Sequence, residues 1–288
     1  VYDGSTAASV TLADNRVAGD VLDIASTASF ADKHVGAGKT VSVTGISVTG
    51  ADATNYTFNT VAATTASITA RALTVSATGQ NKVYDGTTHA NVTLGDNRVA
   101  GDALTLNHTS AAFTDKNAGT AKAVNVSGIN VTGLDAANYT FNTTAATTAD
   151  ITPASITAVT GITAQNKVED GTTAATLVTT GAAFTGQVAG DVLSVTAATG
   201  AFDLPNPGTA RPVAITGITL GGTHAGNYVL TNNTAATTAD IYEAATPLPP
   251  APPPPPPPPP APSPAPTPPP TPTPTPGAPA PAPGPVPA

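Results

Sequence analysis

Cysteine is missing from this chain of 288 residues. That excludes disulfides and thiolate chemistry, and it fits a secreted bacterial protein that crosses a membrane unfolded. Positive charge is scarce: 10 Lys and Arg stand against 18 Asp and Glu, a formal net charge of −8. No basic footprint for a nucleic-acid backbone and no basic amphipathic helix for a membrane surface can be built from so few cations. No apolar run approaches the roughly 20 residues of a membrane-spanning helix. The sequence does not open on Met, and no stretch of it reads as a signal peptide. Ser/His/Asp sets, HExxH, glycine-rich phosphate loops and zinc-ligand spacings are all lacking. His34, His89, His108 and His224 share no common spacing. An enzyme is not expected.

What is present is repetition. TLADNRVAGD (11–20) returns as TLGDNRVAGD (93–102), and its last part survives in TGQVAGD (185–191). VYDG (1–4) returns as VYDG (83–86) and VEDG (168–171); NYTFNT (55–60) returns at 138–143 and as NYVLTN (227–232). Tandem units of this size build length and surface more readily than an active site. The boundaries are expected near residues 70 and 152, giving repeats 1–70, 71–152 and 153–241. The second copy carries a leading segment, ALTVSATGQNK (72–82), that the first lacks. The first repeat is therefore expected to be truncated at its start, as in an excerpt of a longer protein.

Within each unit the pattern has a period of two. Leu73 and Val75 alternate with Thr74 and Ser76, and VSVTGISV (41–48) and VNVSGINV (124–131) alternate Val with Ser, Thr or Asn. That is the signature of half-buried strands, which Val and Thr favour. Asp-Gly, Gly-Asp and Asn-Ala-Gly punctuate them as turns. The expected fold is all-β: tandem small β-sandwich (Ig-like) repeats. Pro153, Pro205, Pro207 and Pro212 are expected at a junction or in the long loop 202–212, where a lost ladder hydrogen bond is harmless. The other 26 prolines fall in 242–288, expected to be a disordered polyproline II spacer without a core.

Four groups of residues are candidate sites. Tyr2-Asp3-Gly4, Tyr84-Asp85-Gly86 and Asp170-Gly171 read as turns, with the tyrosine rings packed beside them and their hydroxyls outward; Glu169 replaces the tyrosine in the third copy. Asp14, Asp20, Asp96 and Asp102 read either as loop caps or as a start on a calcium site, which needs six to eight oxygens; no other cofactor is suggested. Asn55-Tyr56, Asn138-Tyr139 and Asn227-Tyr228 open the last strands as packing motifs. Lys33, Lys39, Lys116 and Lys122 lie on the loops 31–39 and 114–122, which are either ligand-facing or contacts between repeats. Asn-x-Ser/Thr triplets begin at Asn55, Asn91, Asn107, Asn125, Asn130, Asn138, Asn142 and Asn232.

The order VYDG, AGD, then GI-x-VTG-x-D-A-x-NY-x-F resembles the YDG-type repeat of filamentous-haemagglutinin-like adhesins. The resemblance covers about residues 1–241 and is strongest over 71–152. It implies display outside the cell or at the outer membrane of a Gram-negative bacterium, export through an outer-membrane partner by two-partner secretion, and adhesion to a host or bacterial surface. Two roles follow: a non-catalytic stalk holding a binding domain located elsewhere, or a module whose loops bind a surface glycan or protein directly. A region accessory to an enzyme elsewhere is a third, weaker reading.

Overall fold

A computed structural model of the chain describes residues 1–245, 256–258 and 263. Contacts divide the chain into Val1–Ala244 and Ala245–Ala288. Of the expected spacer, 242–288, only 242–245, 256–258 and 263 are described, and past Tyr242 these carry no regular element; the rest of the expected polyproline II run lies outside the described residues.

The first unit is essentially all-β. The second repeat shows the plan. Strands Lys82–Val83, Thr144–Thr152, Gly119–Ser127 and Ser110–Phe113 form one sheet in that order, the first pairing parallel and the rest antiparallel. Three short ladders complete the repeat: Val75–Gly79 with Val92–Asp96, Asn130–Thr132 with Thr105–Asn107, and Tyr139–Phe141 parallel to Arg71–Leu73. The period-two pattern does the work here. Val124 and Val126 point inward at 0% and 1% exposure while Asn125 between them is exposed. The third repeat repeats the plan with a five-stranded sheet built on Gly208–Gly221. In the first repeat, Asp23–Phe30, Gly36–Thr49 and Ala62–Ile68 make a three-stranded sheet.

Among the described residues, every strand ladder stays inside one repeat. The apolar core does not. One cluster runs from Tyr2 and Ile68 through Val124 and Ile151 to Ile215 and Tyr228. A smaller one, Phe202, Val213, Ala239 and Ile241, lies wholly in the third repeat.

Two local devices position the site. A register shift recurs between Gly36 and Lys39, Gly119 and Lys122, and Gly208 and Arg211. Such a bulge bends its strand beside the loop that precedes it. Single turns of 3-10 helix, Ala53–Asn55, Ala136–Asn138 and Ala225–Asn227, deliver each Asn-Tyr pair. One proline departs from expectation: Pro212 sits inside the strand Gly208–Gly221, opposite Thr238. It falls one residue past the register shift, where the ladder is already irregular, so its missing N–H is tolerated.

Candidate functional site

Buried polar residues mark the site. Asp102, Asp135, Asn138, Asp191 and Asn227 are buried, and all five lie where one repeat meets the next.

Each repeat first builds half of this site alone. In the second, Tyr139 donates its hydroxyl to Asp102 Oδ2 at 2.6 Å and accepts the Val99 N–H at 2.9 Å. In the third, Tyr228 does the same with Asp191 (2.6 Å) and Val188 (2.9 Å). In the first, Tyr56 donates to Asp20 at 2.5 Å and accepts from Val17 at 2.9 Å. The Gly-Asp and Asn-Tyr motifs thus form one socket although they lie far apart in sequence.

The preceding repeat then fills the socket. Tyr2 reaches across to donate to Asp102 at 2.8 Å, and Tyr84 to Asp191 at 2.7 Å. These hydroxyls, expected outward, are turned into the next repeat, because a carboxylate waits there and the ring gains burial; Tyr2 is 1% exposed and Tyr84 3%. The incoming ring stands edge-on to the resident one, with centroids 5.5 Å apart for Tyr2 and Tyr139 and 5.4 Å for Tyr84 and Tyr228.

The lysine loops arrive on the same side. Lys33 Nζ lies 2.9 Å from Asp102 and 3.2 Å from Asp135, and Lys116 Nζ lies 3.0 Å from Asp191. Each ammonium also sits 5.8 Å from the centroid of its own repeat's tyrosine ring. Asn138 accepts the Val35 N–H at 3.1 Å and Asn227 accepts that of Ala118 at 2.8 Å. Lys39 and Lys122 remain at home, paired with Asp32 and Asp115 of their own loops.

The motif's other two residues divide the labour. Asp3, Asp85 and Asp170 close the turn by accepting the N–H of the residue two positions on, at 2.8, 2.8 and 2.9 Å. Gly4 and Gly86 face the neighbour. A Cβ on Gly4 would stand 2.8 Å from Val99 Cγ1, and one on Gly86 would stand 2.7 Å from Val188 Cγ1. At Gly171 the same Cβ would meet nothing within 4 Å.

The third repeat lacks the donor half. Glu169 stands for the tyrosine and Pro205 for the lysine. The first repeat holds an unfilled socket: its counterparts of the buried residues, Asp20, Asp52, Asn55 and Tyr56, are not buried, and Val17 is 65% exposed. His224 occupies the place of Asp135, accepting the Val192 N–H at 2.9 Å where Asp135 accepts that of Ala103.

The four aspartates weighed for calcium are engaged with protein partners. Asp14 and Asp96 clasp Arg16 and Arg98 at 2.6 and 2.5 Å, while Asp20 and Asp102 serve the sockets. Among the described residues no group of three or more His, Cys, Asp or Glu is placed to hold a metal ion. No helix among them is long and apolar enough to cross a membrane. The triplet at Asn138 is buried in a junction, whereas Asn55, its counterpart in the first repeat, is exposed.

Sequence reasoning missed Asp135, Asp191, His224, Val99 and Val188 as junction residues. A signal was available: tyrosine and lysine disappear together in the third copy, as expected of two groups that share one target.

The electrostatics give the junction a pH window. Burial raises the Asp191 carboxyl, but hydrogen bonds from Tyr228, Tyr84 and Lys116 outweigh it and hold it down to about 2. Asp102 is lowered on the same balance. Burial, then the bond to the carboxylate, pushes Tyr139 and Tyr228 up to about 12. A depressed carboxyl contributes stability above its unfolded value of about 3.9 and loses it as pH falls through the folded one. A raised phenol contributes below about 10 and loses it as pH rises through the folded value. Tyr2, Tyr84, Tyr139 and Tyr228 are four of only six tyrosines, and there is no tryptophan, so near-ultraviolet circular dichroism reads the junctions. The signal should hold from about pH 5 to 9, fall between about pH 4 and 2, and fall again between about pH 10 and 12. A loss centred near pH 6 to 7 would contradict this arrangement.

The sequence matches the YDG domain three times in succession, over residues 1–66, 69–148 and 152–238. No curated protein matches it.

Proposed function

We propose, from the premise that this chain belongs to the YDG domain family, that it is a stalk segment of a large adhesin displayed at or secreted from a Gram-negative bacterial surface. It is a non-catalytic, repeat-built protein. In this reading each repeat is a spacer, and the Tyr-Asp-Gly motif is the plug that joins it to the next.

One observation carries the reading: the same constellation of two tyrosines, one aspartate, one lysine and one asparagine is built twice, with distances that agree within about 0.3 Å. A passive surface has no need to bury five polar residues; a joint that fixes register does. Loss of the plug residues in the third repeat gives the array a polarity, as capping repeats do.

The competing role is direct binding of a surface glycan or protein by the loops 31–39 and 114–122. Lys33 and Lys116 already carry carboxylate partners, so a ligand at those ammoniums would have to displace a joint. Small-angle scattering on the full chain tests the stalk. The pair-distance distribution should be the same in calcium and in chelator, and should broaden when Tyr84→Phe and Lys116→Ala are combined. Scattering that stays unchanged in that variant, or that stiffens only with calcium, would remove the support. Glycan binding by the intact chain that requires Lys33 or Lys116 would favour the module.

A further inference from the structure

The third repeat keeps the backbone of the plug and changes what it presents. Glu169 donates its N–H to the Tyr242 carbonyl at 2.8 Å, as Tyr84 does to that of Thr152 and Tyr2 to that of Thr69 at the same distance. Asp170 closes the turn, and Lys167 pairs with it at 2.7 Å as Lys82 pairs with Asp85 at 2.8 Å. The lysine loop also keeps its length. Phe113 and Phe202 open it, each with a lysine ammonium 5.6 Å from its ring centroid, and the register shifts at Gly119 and Gly208 close it, with five residues between in both repeats. Position by position, Pro205 answers to Lys116, Asn206 to Asn117 and Pro207 to Ala118.

Three donors cross each filled junction from the plug side: a tyrosine hydroxyl, a lysine ammonium and one backbone N–H. They come from Tyr2, Lys33 and Val35 at the first junction, and from Tyr84, Lys116 and Ala118 at the second. In the third repeat each is replaced by a residue that cannot donate there. Glu169 carries a carboxylate, Pro205 has no ammonium, and Pro207 lacks the N–H that Val35 and Ala118 give. The acceptor is kept. Asn117 accepts from Asn227 Nδ2 at 3.2 Å, and Asn206 stands in its place.

We infer that this face of the third repeat is a stop: it rejects a socket of the Asp102 or Asp191 kind, whether that socket belongs to another repeat or to a second copy of the chain. The reason lies in what the socket needs. Its aspartate side chain is 2% exposed at Asp102 and 1% at Asp191, and it depends on the incoming hydroxyl and ammonium. Glu169 would bring a second carboxylate and no cation with it. Two carboxylates enclosed together repel, and one of them must take up a proton. The socket asparagine would meet a proline in place of an N–H. A plug that had only been lost would leave a neutral surface; an unpaired charge and missing donors discriminate against the wrong partner. The inference rests on the geometry of the joint alone, and it holds whether the array is a stalk or its loops bind a ligand.

The test moves the third repeat's chemistry into the second joint of the full chain. Tyr84→Glu and Tyr84→Gln are each combined with Lys116→Ala. Hydrogen exchange is followed at Ala118, whose N–H crosses this joint, and at Val35, which reports the untouched first joint. The Glu variant should exchange at Ala118 about tenfold faster than the Gln variant, or more, with Val35 unchanged. Asp191→Asn added to both should close that gap, because the charge of the socket is then gone. Equal exchange in the Glu and Gln variants would overturn the proposal. So would a gap that persists with Asp191→Asn, since burial of any charge, and not the socket, would then be responsible. The same comparison at the first joint, Tyr2→Glu or Tyr2→Gln with Lys33→Ala and read at Val35, covers the case in which the changes at position 84 disturb the fold of the second repeat.

Discussion

Asp102→Ala is expected to cost about 3 kcal/mol and to uncouple the first repeat from the second. The side chain is 2% exposed and accepts from Tyr2, Tyr139 and Lys33. Its removal leaves two buried hydroxyls without an acceptor, each worth about 1–3 kcal/mol. Lys33 is a third exposed, so its ammonium finds water and adds less than a fully buried charge would. Asp20→Ala provides the internal control. It removes the same motif residue from a socket that no repeat fills, where only Tyr56 loses its acceptor. That variant should cost about 1 kcal/mol. Urea unfolding followed by near-ultraviolet dichroism should show the tyrosine transition of Asp102→Ala moving to lower urea and splitting in two, while Asp20→Ala keeps the wild-type shape. Equal losses in the two variants would mean that the aspartate serves its own repeat and not the joint.

The second large effect belongs to glycine. Gly86 and Gly171 hold nearly the same backbone, at φ +78° and +76°. Alanine at either position pays the left-handed cost of about 1–2 kcal/mol. At Gly171 that is the whole effect, since no atom lies near. At Gly86 the new methyl would stand 2.7 Å from Val188 Cγ1, and overpacking adds about 1–3 kcal/mol. Gly86→Ala should therefore destabilise by about 3 kcal/mol and loosen the second junction, and Gly171→Ala by about 1 kcal/mol with the junction signal intact. Val188→Ala added to Gly86→Ala should restore most of the difference. If the two glycine variants lose the same amount and Val188→Ala restores nothing, the glycine is needed only for its turn.

Much of the fold is legible without coordinates. Alternation at Leu73 and Val75, or at Val124 and Val126, assigns strands because side-chain direction in a strand depends only on the backbone of adjacent residues. The turns at Asp3-Gly4 and Asp85-Gly86 are legible for the same local reason: aspartate bonds its own backbone two residues on, and glycine accepts positive φ. Pro212 was less legible, because the bulge that tolerates it arises only once Gly208–Gly221 pairs with its neighbour.

The site was legible in its parts and not in its assembly. Tyrosine, Gly-Asp, Asn-Tyr and the lysine loop each announce themselves by recurring. Their pairing does not, since Tyr2 finds Asp102 a hundred positions away, in another repeat. The sequence by itself determined the repeat, the strand period, the turns and the residues that each copy offers. Only the tertiary structure decided which copies bury them. Asp20, Asn55 and Tyr56 read the same as Asp102, Asn138 and Tyr139, yet the first three meet solvent and the second three are enclosed. The difference is not in the residues but in whether a neighbouring repeat covers them, and burial by a neighbour is a property of assembled surfaces that no local pattern encodes.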